Sequence, residues 1–178
     1  FNTNIVPYKN FITLFAPDFF GNPVTNNFWS NIYGDGTPYI GILPLLFVAY
    51  AITLIKKWEV KFFVAVAFIN VVYVTGNPLH TLIQNLEIPI LTGTVAARTM
   101  FIFCFCLSML AGLGLNSFLQ DKKKNKFYLF IVLFASIFLI LFSSTYLIKH
   151  ISNDTELAQN LIISRRNLLL PAFTFFSF

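Results

Sequence analysis

Long apolar runs alternate with short polar gaps along this chain, and the runs are too long to be strands of a water-soluble sheet. The cleanest is Thr99 to Leu119, which holds no charged residue over 21 positions. At ~1.5 Å per residue a helix of that length crosses a hydrocarbon core of ~30 Å. Arg98 stands before it, and Lys122, Lys123, Lys124 and Lys126 follow it. An earlier run, Pro38 to Ile55, is uncharged over 18 positions. Its Pro38 suits a first helical turn, and Pro44, lying deeper, predicts a kink. The next run goes from about Trp58 to Thr75, where Gly76-Asn77-Pro78 stops it. Phe127 to Ile148 is a further run, and Leu168 opens another. The pattern predicts an all-α fold, a polytopic transmembrane helical bundle fragment with about four complete spans plus the start of a fifth.

The gaps predict the remaining organisation. Residues 1-37 are rich in asparagine and carry the turn pairs Asn22-Pro23 and Asp35-Gly36, so they form an outer-face loop with one short helix around Tyr8 to Phe15. Its aromatics, Phe19, Phe20, Phe28, Trp29 and Tyr33, suit either anchoring at the membrane boundary or a lid over a site. Residues 38-75 form a first transmembrane hairpin. In 76-97, Leu79, Leu82, Ile83 and Leu86 recur at helical spacing, which predicts an outer-face amphipathic helix over Leu79 to Leu86, ended by Pro89, and then a loop. Residues 98-148 form a second hairpin, 149-167 an outer loop with an amphipathic piece, and 168-178 the start of a further span.

Charge orients this scheme. Seven of the twelve basic residues lie in the gaps 56–61 and 122–126, and none lies in 76–97 before Arg98. Lysine and arginine accumulate on the cytoplasmic side of short loops, so the Lys56–Lys61 and Lys122–Lys126 loops are expected inside. Arg165 and Arg166 run against this trend, either as scatter in a statistical rule or as phosphate ligands. Composition agrees with lipid as solvent: 57% hydrophobic, 23 phenylalanines and 11% charged against about 25% in soluble domains. The net charge of +5 follows the loops rather than a basic face, which argues against nucleic acid. Cys104 and Cys106 sit two apart on one helix and point apart, which makes them small apolar fillers rather than a disulfide or metal pair. The chain opens on Phe1 and closes inside an apolar run, so a fragment of a longer multi-spanning protein is expected.

The ordered segments APDFFGNP, YIGILPLLFVAYAI, GNPLHTLIQNLEIPIL and AARTMFIFCFCLSMLAGLGL, across most of residues 11 to 119, are similar to the YfhO-like family of bacterial integral membrane proteins. Those proteins resemble GT-C-type glycosyltransferases. The resemblance implies a multi-pass protein of the bacterial cytoplasmic membrane that moves a sugar from a polyprenyl-phosphate-linked donor to a cell-envelope glycan or polymer acceptor outside the cytoplasm. It also implies a catalytic carboxylate in a first outer loop, upstream of Phe1, so no catalytic residue is carried onto this chain. No cofactor is identified, and a divalent metal is possible in the full-length protein. A flippase or transporter of lipid-linked saccharides is the alternative, and would need polar groups at mid-membrane, for which Asn70 and Ser108 are the nearest candidates. A non-catalytic membrane assembly subunit is a third reading.

Binding residues are sought on the predicted outer face. Arg98 heads the longest span, where a planar guanidinium could grip a lipid-linked phosphate or merely reach the headgroups. His80 could hydrogen-bond the same phosphate or sit as a polar residue on a surface helix. Asp18 and Asn22 form a candidate polar site, although aspartate in a Pro-Asp-Phe-Phe-Gly turn often only caps it. Asp35 and Glu87 read more simply as turn and solvated residues. No zinc, P-loop, Rossmann or Ser-His-Asp pattern is present, so no metal site is assigned. Ser108, Ala111, Gly112 and Gly114 read as small residues that allow close helix packing.

Overall fold

A computed structural model describes residues 5–30, 32–34, 36–87, 95–121, 125–151 and 154–177. Among these the chain is helical, with no strand: α1 (Ile42–Ile52), α2 (Trp58–Val74), α3 (Pro78–Asn85), α4 (Met100–Gln120), α5 (Asn125–Ile151) and α6 (Thr155–Phe176). Short 3-10 turns cover Tyr8–Leu14, Pro23–Thr25 and Ala96–Thr99. Two helical stretches, Ala96–Gln120 and Asn125–Ile151, are long and apolar enough to cross a membrane. Their outward faces suit lipid: Phe101, Phe105 and Leu119 on α4 and Leu129, Val132, Leu139 and Ile140 on α5 are exposed large apolar side chains.

The helices pack as an up-and-down bundle. Phe118 of α4 meets Phe127 of α5 with ring centroids 4.2 Å apart, which closes a short hairpin. Phe138 of α5 packs on Phe175 of α6, and Tyr146 of α5 lies under Arg165 of α6, so these two helices are antiparallel. Asn70 of α2 donates from Nδ2 to the Thr99 carbonyl at 3.1 Å, while Phe63 meets Phe105, so α2 runs against α4. In contrast, α1 runs parallel to α4. A Cβ on Gly114 would lie 2.0 Å from the Phe47 carbonyl oxygen, so only glycine lets the two backbones approach this closely. A Cβ on Gly112 would meet nothing within 4 Å, so of the two glycines only Gly114 makes the close approach. Cys106 is buried and Cys104 half-buried, both as free thiols.

This topology gathers the end of α2, α3, the start of α4, the end of α5 and the start of α6 at one end of the bundle. That end carries His80, Arg98 and Lys149. The opposite end carries Lys126, the Tyr50–Asp121 hydrogen bond (2.6 Å), and Lys56 and Lys57 just after α1. Lys122, Lys123 and Lys124 lie outside the described residues, as do Asp35, residues 88–94 and the Leu79 side chain.

Two elements differ from the hydropathy reading. The run from Pro38 to Ile55 is helical only over the 11 residues Ile42–Ile52, roughly 16 Å, about half a hydrocarbon core. Gly41 starts the helix at φ 96°, a conformation closed to other residues, and Pro44 falls in the first turn, where its missing N–H costs nothing. No interior kink is needed. Residues 5–30 pack against the longer helices and bury Val6, Asn10, Thr13, Ala16, Phe19 and Phe20. Phe15 packs against Phe134 and Phe138, well inside the bundle. The second difference is α6, which runs unbroken through position 167. Its buried stripe Leu161, Ser164, Leu168, Ala172 and Phe175 keeps one helical face across that point, and Asp154 Oδ1 caps its start by accepting from the Glu156 and Leu157 amides.

Candidate functional site

Polar chemistry collects where the N-terminal segment meets α6. Pro17-Asp18 leads into Gly21 at φ 81°, and a Cβ there would lie 2.1 Å from the Asn27 carbonyl oxygen. The turn therefore requires glycine. Asn22 follows as the cap of the Pro23–Thr25 turn, its Oδ1 accepting from the Val24 amide at 2.8 Å. Its Nδ2 faces the Asp18 carboxylate at 3.4 Å, and the Tyr33 hydroxyl donates to Asp18 Oδ1 at 3.4 Å. Burial first and the Asp18 charge second push the Tyr33 phenol above its ordinary pKa, so it stays a donor to the carboxylate.

Helix α6 fixes this turn from the other side. Ser164 Oγ donates to the Phe19 carbonyl at 2.6 Å, and Asn167 Nδ2 donates to the Asp18 carbonyl at 2.5 Å. Pro171, one turn on, has no N–H for the Asn167 carbonyl. The result is a cavity of about 400 Å³ lined by Asp18, Asn22, Thr25 and Asn27 from the turn and by Ile162, Ile163, Arg166 and Asn167 from α6. One carboxylate, one guanidinium and several amide and hydroxyl groups line the same space, a set suited to a polyhydroxylated, negatively charged ligand.

Further clefts include one lined by Phe142, Ser143, Tyr146, Leu147 and Arg165, and two others. One of about 410 Å³ lies between α5 and α6, lined by Thr145, Lys149, Leu161, Ile162, Arg165, Arg166 and Leu169. Arg166 and Ile162 line both this cleft and the Asp18 cavity. The other, of about 400 Å³, is apolar and lies between α2, α3 and the start of α4, with Asn70 and Thr99 in its wall. Asn70 Oδ1 is buried and, among the described residues, has no hydrogen-bond partner.

The sequence-predicted residues distribute unevenly. Asp18 and Asn22 come together in one cavity. Neither Arg98 nor His80 lines it. Arg98 is exposed on the 3-10 turn that leads into α4. His80 is buried, and its Nδ1 donates to the Tyr73 carbonyl at 2.7 Å. That contact is one of four that satisfy the end of α2. Val71 O receives the Thr75 amide and hydroxyl, Val72 O receives Asn77 Nδ2 at 2.6 Å, and Val74 O receives the Val6 amide at 2.8 Å. The Thr75-Gly76-Asn77-Pro78-Leu79-His80 stretch thus supplies partners for three of the last four carbonyls of the helix, and Val6 supplies the fourth. Asn77 serves twice, since its Oδ1 also accepts from the His80 amide to start α3. Asn167, Ser164 and Lys149 escaped sequence reasoning. The available signal was the Arg165-Arg166-Asn167 triplet placed against the charge trend.

A divalent metal does not fit the Asp18 cavity. Asp18 is its one carboxylate and Arg166 supplies a competing cation, while the Asn22 and Asn27 side-chain oxygens already accept internal hydrogen bonds. Among the described residues no group of three His, Cys, Asp or Glu side chains could hold a metal. No family model, no curated protein and no solved structure matches this chain.

Proposed function

We propose that this chain is part of a bacterial membrane glycosyltransferase-like protein of the YfhO-like type, and that its Asp18 cavity holds the sugar-phosphate end of a polyprenyl-phosphate-linked donor. The observation that carries this reading is the pairing of a carboxylate and a guanidinium, Asp18 and Arg166, in one cavity of a bundle whose long helices are apolar on their outward faces. Asp18, Asn22 and Asn167 offer acceptors and donors to sugar hydroxyls. Arg166 offers a planar fork to the phosphate. Arg98, at the same end of the bundle, is a second phosphate contact for a ligand that extends toward α4.

The chain crosses the membrane four times, with α1 as a short crossing completed by the packed segment 5–30, and α6 turns back inward. The end bearing Asp18, Arg98 and Arg166 faces outward. The end bearing Lys56, Lys57, Lys61 and Lys126 faces the cytoplasm, as the basic-residue bias supports. In the transfer, an acceptor hydroxyl oxygen bonds to the anomeric carbon while the bond from that carbon to the phosphate oxygen breaks and leaves its electron pair on the phosphate. The proton of the acceptor passes to a carboxylate supplied by a segment outside this chain. The residues described here orient the sugar and stabilise the departing phosphate.

The test is sugar transfer by the full-length protein in liposomes, with a polyprenyl-phosphate sugar as donor. Asp18→Asn and Arg166→Ala are each expected to lower transfer at least ~tenfold, since each removes a charge-assisted contact worth roughly 1.5–3 kcal/mol. Unchanged donor affinity and turnover in both variants would remove the cavity from the site. Donor translocation without transfer would replace the enzyme by a flippase.

A further inference from the structure

The cleft between α5 and α6 is lined by three basic residues. Lys149 enters it from α5, and Arg165 and Arg166 from α6. The Arg165 guanidinium lies 5.3 Å from the Tyr146 ring centroid, a cation–π contact with α5. The other walls are apolar: Leu161, Ile162 and Leu169. Thr145 at the base is buried, and its hydroxyl proton is directed to the Leu141 and Phe142 carbonyls. Its oxygen can still accept, but it adds no donor for an anion.

We infer that this cleft binds the headgroup phosphate of an anionic phospholipid from the surrounding bilayer. Three basic residues line a space of about 410 Å³, large enough for a phosphate ester, and its remaining walls are mostly apolar. Leu161, Ile162 and Leu169 follow α6 along the cleft and give the attached chains a surface to lie on. Arg166 divides its space between this cleft and the Asp18 cavity, so a lipid seated here orders one wall of that cavity. The inference rests on the membrane reading and not on sugar transfer.

The experiment uses the full chain purified in a neutral detergent and titrated with phosphatidylglycerol or phosphatidylcholine, with bound lipid counted by native mass spectrometry. Phosphatidylglycerol should bind roughly tenfold or more tightly, as expected when at least two basic residues act on one headgroup. The double variant Lys149→Gln/Arg165→Gln, which keeps Arg166, should lose that preference. The charge-preserving Lys149→Arg/Arg165→Lys variant should keep most of it and controls for folding, with helicity checked by circular dichroism. Equal binding of the two lipids to the parent chain would overturn the inference, and so would a preference that survives the double Gln variant. Inorganic phosphate that competes as well as the lipid would reduce the cleft to a simple anion site. Polyprenyl phosphate that displaces phosphatidylglycerol one for one would assign the cleft to the donor instead.

Discussion

His80 donates from Nδ1 to the Tyr73 carbonyl at 2.7 Å, and the two rings lie 5.9 Å apart. A carbonyl can only accept, so Nδ1 carries the proton and the imidazole acts as the cap of α2. His80→Ala should therefore leave a buried carbonyl without its donor and destabilise the protein by ~1–3 kcal/mol. Chemical unfolding in detergent measures this. Lower donor affinity in His80→Ala with unchanged stability would return His80 to the phosphate.

The two glycines of α4 make opposite predictions. Gly114→Ala drives a methyl group into the Phe47 carbonyl and should separate α1 from α4, costing ~1–3 kcal/mol. Gly112→Ala meets open space and should be neutral or stabilise by roughly 0.5–1 kcal/mol through helix propensity. Paired melting curves decide the matter, and equal losses in the two variants would contradict the close approach at Gly114.

Tyr50 is buried, and its hydroxyl reaches Asp121 at 2.6 Å, joining the end of the short α1 to the end of α4. Tyr50→Phe keeps the ring, which also packs on Phe118 and Phe127, and removes only the donor to a carboxylate. The expected loss is ~1.5–3 kcal/mol. A variant as stable as the parent would show that Asp121 is fully served by its other contacts.

Sidedness is open to direct chemistry. In a full-length background with Cys104 and Cys106 replaced by alanine, cysteine at the exposed Val24 should react only with reagent added outside. Cysteine at Asn125 should react only after the membrane is permeabilised. Labelling of both positions from one side would reverse the scheme.

Hydropathy and turn residues made much of the fold legible. Gly76-Asn77-Pro78 marks the end of α2, and the uncharged runs mark α4 and α5. Elsewhere the same signal misled. Apolar residues at 38–41 and 53–55 are indistinguishable by hydropathy from helical ones, so the short α1 reads as a full crossing. In α6 the charges of Arg165 and Arg166 interrupt the apolar average, yet the Leu161–Ser164–Leu168–Ala172 period continues beneath them. The site was half readable. Asp18 and Asn22 are four positions apart and declare a local polar turn, but Asn167 lies 149 positions from Asp18 and reaches it only through tertiary packing. His80 shows the ambiguity of a single letter, since a histidine that ends one helix and begins another reads in sequence like a ligand.

The packing of residues 5–30 has a consequence for motion. Their first described amide-to-carbonyl bond, Val6 to Val74, completes α2, and Phe19 and Asp18 are held by Ser164 and Asn167. Swinging this segment aside would uncap one helix, strip two side-chain bonds from another and bare Phe19 and Phe20 together. The segment is therefore tied at two places, to α2 through Val6 and to α6 through Asp18 and Phe19, and moves only if both ties break together.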